Sequence, residues 1–465
     1  MYYLYQVFFV PVLILFIIFG TYKLWLLYLY KRTQNKKIQY EELDFYPFVT
    51  IQIPVYNEYN VIERCIESAV SLYYPKDRLE IHILDDSDDE TKYLIDSIVE
   101  KKKKEGFNIE VIRRDKREGF KAGALKNGLK YANGEFIAIF DADFIIPPDF
   151  LKKTLPFFKN KDVALVQTRW GFINEEENRL TKIQKLSLNA HFEIEHNSKF
   201  KNGYFFNFNG TAGIWRKEAI ITSGNWQCDT LAEDLDLSVR VYLRGWKFVF
   251  LNDVICPSEL PSDFNSFVTQ QFRWTKGTFE VGLKLFKNII NSKIKSEDKL
   301  NIIFHLFSPL LYLANLFFFF ILWPLSHFSP ILFGLIALFF GISNLYNIFL
   351  TDKMISKNKS LKERIFDLFY LIIIFLGFCF KGTIAVLEAL FKKKTPFERT
   401  PKKGNKKKNY IISSKRHIEI IGTIYYIFLM PFILKFELYG FLPWAILFSL
   451  SSLYFFYLSI KELKF

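Results

Sequence analysis

The sequence predicts an α/β domain on a mostly parallel sheet, joined to a region of α-helical membrane spans. Two observations carry that expectation. Strand-like and helix-like segments alternate through roughly residues 48–290, and long runs without charge lie on both sides of them. Composition agrees: at about 150 residues per domain, 465 residues make about three units. With 50% hydrophobic residues, 53 of the residues being Phe, disorder is excluded; with 24% charged residues, so is a chain of membrane helices alone.

Taken in order, Met1–Tyr22 carries no charge, apolar character continues to Tyr30, and Lys31, Arg32, Lys36 and Lys37 follow. A cleaved leader would have its basic residues first, so 1–30 reads as an uncleaved anchor with its C-terminal flank inside. Val49–Pro54 reads as a buried strand, Glu58–Leu72 as a helix and Leu79–Leu84 as a second strand. Thr91–Lys104 is a helix ended by Gly106; Ile109–Ile112 is a strand, Ala122–Tyr131 a helix and Glu135–Phe140 a strand.

Beyond the domain, Leu300–Thr351 has no Asp, Glu, Lys or Arg. A crossing takes ~20 residues, so this run fits two, turning near Pro324–Pro330. Residues 366–391 suit an interfacial helix, because Lys-rich segments on both sides, 352–364 and 392–408, belong inside. Two more spans fit within 413–460, giving five crossings, the N-terminus outside and the C-terminus inside. The net charge of +14, from 62 basic and 48 acidic residues, is compatible with nucleic acid, anionic lipid or phosphorylated substrates. The basic runs flank spans, which favours membrane lipid over nucleic acid. Cys65, Cys228, Cys256 and Cys379 lie far apart without a CxxC, so reduced thiols in a cytosolic domain are expected.

Acidic clusters end three of the strands: Tyr56-Asn57-Glu58, Asp85 to Asp89, and Asp141-Ala142-Asp143. Each alone can cap a helix, as expected of Asp88 and Asp89. Together they would meet at the carboxyl ends of the sheet, where such folds bind ligands, and repel each other unless a cation or a base and ribose intervened. An Asp-x-Asp pair suits Mg²⁺, which completes its shell with water and phosphate oxygens. Glu118 to Gly123 lacks P-loop spacing. Its Gly119 and Gly123 either let backbone approach a phosphate beside Lys121 or simply pack a helix start. Ala232-Glu233-Asp234 opens a helical pattern. Gln270 to Trp274 lies in an amphipathic stretch, where Arg273 suits a pyrophosphate and Trp274 a sugar face.

In this order, Asp85-Asp86, Asp141-x-Asp143, Glu233-Asp234 and Gln270-x-x-Arg273-Trp274 resemble the family 2 inverting glycosyltransferases of the cellulose synthase branch, nearest the cellulose-synthase-like mannan and glucan synthases. Gln52 to Glu58, Lys121 to Leu125, Val166 to Trp170, Phe208 to Gly213 and Glu259 to Ser262 carry the same likeness. Ala232 departs from it, since many relatives have Thr there. The resemblance implies a GT-A domain at 39–290, cytosolic at a bacterial plasma membrane or a Golgi-type membrane. It implies a nucleotide-sugar donor, GDP-mannose or UDP-glucose, and a polysaccharide or lipid acceptor.

By the same resemblance, Glu58, Asp85, Asp86, Lys121, Asp141, Gln270 and Arg273 bind the nucleotide sugar. Asp141 and Asp143 hold Mg²⁺ or Mn²⁺, Asp234 is the general base with Glu233 beside it, and Trp274, Asn209 and Gly210 bind the acceptor. Phe397 to Lys402 resembles the FxVTxK gating motif, with Arg399 in place of Val, so Thr400 and Lys402 of loop 392–410 are expected on the diphosphate. The leading expectation is a polymerising β-hexosyltransferase. A single-transfer glycolipid synthase and a non-catalytic membrane protein with a degenerate domain are the alternatives; the carboxylates that such degeneration removes are all present.

Overall fold

The computed structural model describes residues 2–317, 330–404 and 442–461 and scattered positions in 424–435. Seven strands form one sheet: β1 (Val49–Val55), β2 (Leu79–Asp85), β3 (Ile109–Ile112), β4 (Phe136–Ile139), β5 (Val163–Phe172), β6 (Gly213–Arg216) and β7 (Lys247–Ser258). Their order is β3-β2-β1-β4-β6-β5-β7. β6 runs antiparallel to β4 and β5, and the remaining pairs are parallel. β1 and β2 are buried almost throughout, as central strands covered on both faces must be. One core holds Ile51, Ile53, Ile66, Ile81 and Phe140, and the other holds Leu125, Ile137, Ile139, Trp215 and Phe250.

The elements expected from the sequence are present, with two shifts that matter to the site. The first helix is Ile62–Val70 rather than 58–72. Asn57 takes φ 57°, and Glu58 accepts turn hydrogen bonds from the Val61 and Ile62 amides, so Glu58 precedes the helix. The fourth-strand helix is Phe120–Gly128, opening two residues early after Gly119 at φ +69°. A Cβ at Gly119 would lie 2.9 Å from Cys228 Cβ, and one at Gly123 would lie 2.0 Å from the Glu118 carbonyl oxygen. Both glycines therefore serve close packing of the chain.

Three described helices are long and apolar enough to cross a membrane: Val10–Thr33, Gly334–Ile355 and Leu442–Lys461. Five crossings were expected. A fourth candidate is the pair Leu361–Gly377 and Cys379–Leu390, bent by 42° where an interfacial helix was expected. The expected turn at Pro324 and most of the expected span at 420–434 lie outside the described residues, as does 405–410 of the loop.

The uncharged run from Leu300 also differs from its expected role. Its first part belongs to helix Ser296–Phe307, whose Ile302 and Leu306 are buried in the core around Trp215. Asn301 donates to the Phe205 carbonyl at 2.8 Å and accepts from Tyr22 of the first helix at 2.7 Å. An uncharged run fits a buried core helix as well as a membrane span, and periodicity alone does not separate them.

Candidate active site

A cavity of about 200 Å³ opens at the carboxyl ends of β1, β2 and β4. Glu58, Asp86, Lys121, Asp141, Asp143, Asn209, Gly210, Glu233, Asp234, Gln270, Arg273, Trp274, Thr400 and Lys402 all line it. Of the residues expected at the site, Asp85 alone does not. It ends β2 with its side chain buried, accepts from Arg113 Nε at 2.8 Å and turns its other oxygen to the Ser87 amide at 3.0 Å. Asp86, the next residue, points the other way into the cavity. Arg114 clamps it through two bonds, Nε to Oδ1 at 2.8 Å and Nη2 to Oδ2 at 2.5 Å. Asp88 is not a cap, since its carboxylate accepts from Asn57 Nδ2 at 2.7 Å, whereas Asp89 accepts from the Thr91 amide at 2.9 Å.

Asp234 lies in the first turn of helix Glu233–Tyr242, where the positive end of the helix favours carboxylates. Its Oδ1 accepts from the Leu235 amide at 2.8 Å. Burial and then the neighbouring Glu233 raise its carboxyl to about 7, against the opposing pull of Lys121. Gly210, at φ +84°, leaves room for this carboxylate, because a Cβ there would stand 3.0 Å from Asp234 Oδ2. Lys121 bonds Asp141 Oδ1 at 2.5 Å and the Gly210 carbonyl at 3.0 Å. Burial alone would lower the Lys121 ammonium, but Asp141, Glu233 and Asp234 outweigh it and hold the group above its ordinary value.

Asp141 and Asp143 fit a divalent ion by the chemistry of their donors. Both carboxylates line one cavity, and each already holds a positive charge, Lys121 on Asp141 and Lys402 on Asp143 at 2.9 Å. No group of three or more His, Cys, Asp or Glu capable of holding a metal occurs among the described residues. Two carboxylates suffice for Mg²⁺ when phosphate oxygens and water complete the shell.

The loop after helix Cys379–Leu390 closes over this cavity. Arg273 donates to the Glu398 carbonyl at 3.2 Å, with its guanidinium 4.2 Å from the Phe397 ring centre. Phe397 also stacks on Phe120 with ring centres 6.0 Å apart. Arg399 pairs with Glu58 at 3.0 Å. Burial lifts the Glu58 carboxyl to about 7, opposed first by Arg399. Thr400 is buried, and its hydroxyl has no hydrogen-bond partner among the described residues. Lys276 roots the loop, bonding Glu388 at 3.1 Å, the Lys393 carbonyl at 2.6 Å and the Thr395 hydroxyl.

Sequence reasoning missed two charged lining residues. Arg117 lies 3.3 Å over the Tyr56 ring, and Glu259 pairs with Arg64 at 3.0 Å and accepts from the Gly404 amide at 3.0 Å. Glu259 had a signal in the Glu-Leu-Pro-Ser string. Arg117 sits among four other basic residues, Arg113, Arg114, Lys116 and Lys121, and nothing local distinguishes it.

The profile described as Glycosyl transferase family 2 matches residues 50–220, and that of Glycosyl transferase family group 2 matches 136–378, about half of the chain. The chain is 43% identical over 294 residues to "Probable glucomannan 4-beta-mannosyltransferase 11" of Arabidopsis thaliana, covering 61% of this chain and 66% of that protein. It is 43% identical over 268 residues to "Glucomannan 4-beta-mannosyltransferase 1" of Oryza sativa subsp. japonica, covering 56% and 51%. The chain thus spans about half to two thirds of the length of these relatives. Among solved structures, a mannosyltransferase from Pyrobaculum calidifontis, described in complex with GDP-Man and Mn²⁺, superposes with a TM-score of 0.53. At 18% identity, over 82% of this chain and all of that one, it shows the GT-A type of fold. The chain belongs to glycosyl transferase family 2, close to the cellulose-synthase-like mannan synthases.

Proposed function

We propose that this protein is a membrane-bound inverting glycosyltransferase that moves mannose from GDP-mannose onto a growing β-linked mannan. The observation that carries the reading is the Asp234 carboxylate, half-buried near Lys121 in the same cavity as Asp141, Asp143, Arg273 and Trp274. The names of the plant relatives support mannose as the sugar.

In this reading Asp234 takes the proton of an acceptor hydroxyl as that oxygen attacks C1 of the donor sugar. The C1–O bond to the diphosphate breaks in the same displacement, so an α-linked donor yields a β-glycoside and the proton stays on Asp234. Lys121 and Arg273 counter the charge that develops on the leaving diphosphate. A Mg²⁺ or Mn²⁺ ion held by Asp141 and Asp143 would supply further charge neutralisation there. Trp274 offers a flat apolar face to the acceptor sugar, and Asp86 faces the nucleotide. Thr400 and Lys402 complete the site from the loop, as lids do. The domain faces the cytosol, with 1–30 as its anchor.

Incubation of the purified protein with radiolabelled GDP-mannose or UDP-glucose, followed by linkage analysis, tests the reading. A β-linked mannose polymer is expected. Product from UDP-glucose alone would overturn the sugar, a single transfer to lipid would overturn polymerisation, and no transfer from either donor would overturn the activity.

A further inference from the structure

The side-chain amide of Asn209 lines the cavity, and its hydrogen-bond partners can be counted atom by atom. His196 Nε2 lies 3.1 Å from the Asn207 carbonyl oxygen, so this nitrogen carries a proton. The same Nε2 lies 3.0 Å from Asn209 Oδ1, and Asn207 Nδ2 donates to that oxygen at 3.0 Å. Two donors facing one atom fix it as the amide oxygen. Asn209 Nδ2 therefore faces His191 Nε2, at 3.4 Å. That nitrogen accepts only if the His191 proton sits on Nδ1, which lies 3.3 Å from Glu195 Oε2. Glu195 is anchored in turn by an ion pair with Lys23, whose backbone carbonyl accepts from Asn347 at 3.2 Å.

Lys23 belongs to the N-terminal helix Tyr2–Thr33, whereas His191 and Glu195 lie on a single π-helical turn, His191–His196. Such turns are rare and concentrate at functional sites. The hydrogen bonds thus run unbroken from Lys23 through Glu195 and His191 to Asn209. The Asn209 oxygen is saturated from inside, one of its two N–H groups is held by His191, and the other meets no partner among the described residues. Family membership alone does not explain why a charged residue of the first helix should reach a cavity residue.

We propose that Lys23, Glu195 and His191 are positioning residues that fix the Asn209 amide so that its remaining N–H donates to a hydroxyl of the acceptor sugar. The first membrane helix is thereby part of the acceptor site. This inference rests on the transferase reading. Glu195→Gln breaks the arrangement without changing size, because a Gln amide can donate to Nδ1 and move the imidazole proton to Nε2. Two N–H groups would then face each other, and the Asn209 amide would have to turn.

The test uses the full-length protein with GDP-mannose and β-1,4-mannotetraose, measuring acceptor KM, donor KM and slow donor hydrolysis. Glu195→Gln and Lys23→Met are each expected to raise acceptor KM about tenfold, the cost of one lost hydrogen bond, with donor KM within about twofold. Lys23→Arg should restore the acceptor KM. In a double-mutant cycle, Glu195→Gln should add little to Asn209→Ala, because both remove the same contact. Unchanged acceptor KM in both single variants, or an additive cycle, overturns the inference while leaving the transferase reading intact. Parent protein that neither extends the tetraose nor hydrolyses donor overturns that reading, and the positioning role with it.

Discussion

Lys402 Nζ lies 2.9 Å from Asp143 Oδ2 and also donates to the carbonyl of Glu259, so one loop ammonium ties two walls of the cavity together. The same loop brings Thr400 to the cavity wall, and its buried hydroxyl has no hydrogen-bond partner among the described residues. Both groups suit diphosphate oxygens once a donor enters. Thr400→Ala combined with Lys402→Ala is expected to cut turnover at least tenfold with expression and membrane insertion unchanged. Normal polymerisation by the double variant would reduce the loop to a basic segment on lipid.

Asp234→Asn keeps the shape of the side chain and removes the proton acceptor. Turnover is expected to fall by ~10²–10⁴, with donor binding kept within a few-fold. Initial-rate assays beside donor titration separate the two. Near-normal turnover would exclude Asp234 as the base.

The pH profile follows from the same carboxyl. Asp234 must be ionised to take a proton, and its carboxyl stands at about 7 in the free protein. As pH falls through that value the neutral form grows, so kcat/KM should drop about tenfold per unit on the acid side. Glu58, also lifted to about 7, loses its charge opposite Arg399 in the same window. A profile flat from about pH 5.5 to about pH 8 would contradict the assignment.

Activity is expected to require Mg²⁺ or Mn²⁺ and to vanish in chelator. Asp143→Ala should weaken donor binding as well as rate, because it removes a proposed metal carboxylate and an ion-pair partner of Lys402. Calorimetric donor titration with and without the metal measures this directly. Full activity in chelator would overturn the metal role of both aspartates.

The side of the membrane on which the loop lies is open to labelling. In a Cys228→Ser background, removing the exposed native thiol, Lys394→Cys should react with an impermeant maleimide only from the cytosolic side. Reaction from outside would show that the bent pair Leu361–Gly377 and Cys379–Leu390 carries the chain across.

Much of this fold is local information. Apolar runs at Val49–Val55 and Leu79–Asp85, each followed by a helical pattern, are enough to specify buried parallel strands, because only a two-sided sheet hides such continuous runs. The acidic strand ends at Asp86, Asp141 and Asp143 then follow from where those strands stop. Tertiary packing alone decided the rest. Asp85 and Asp86 are equivalent in the sequence, yet the alternation of a strand end buries one against Arg113 and turns the other into the cavity. The uncharged stretch Leu300–Phe307 reads as the start of a membrane span, and only the packing of Ile302 and Leu306 around Trp215 makes it part of the core. Arg399 meeting Glu58, and Lys23 meeting Glu195, join residues from distant parts of the chain. Pairing of that kind leaves no periodicity to read, since an ion pair depends on the distance between side chains in space and not on their spacing along the backbone.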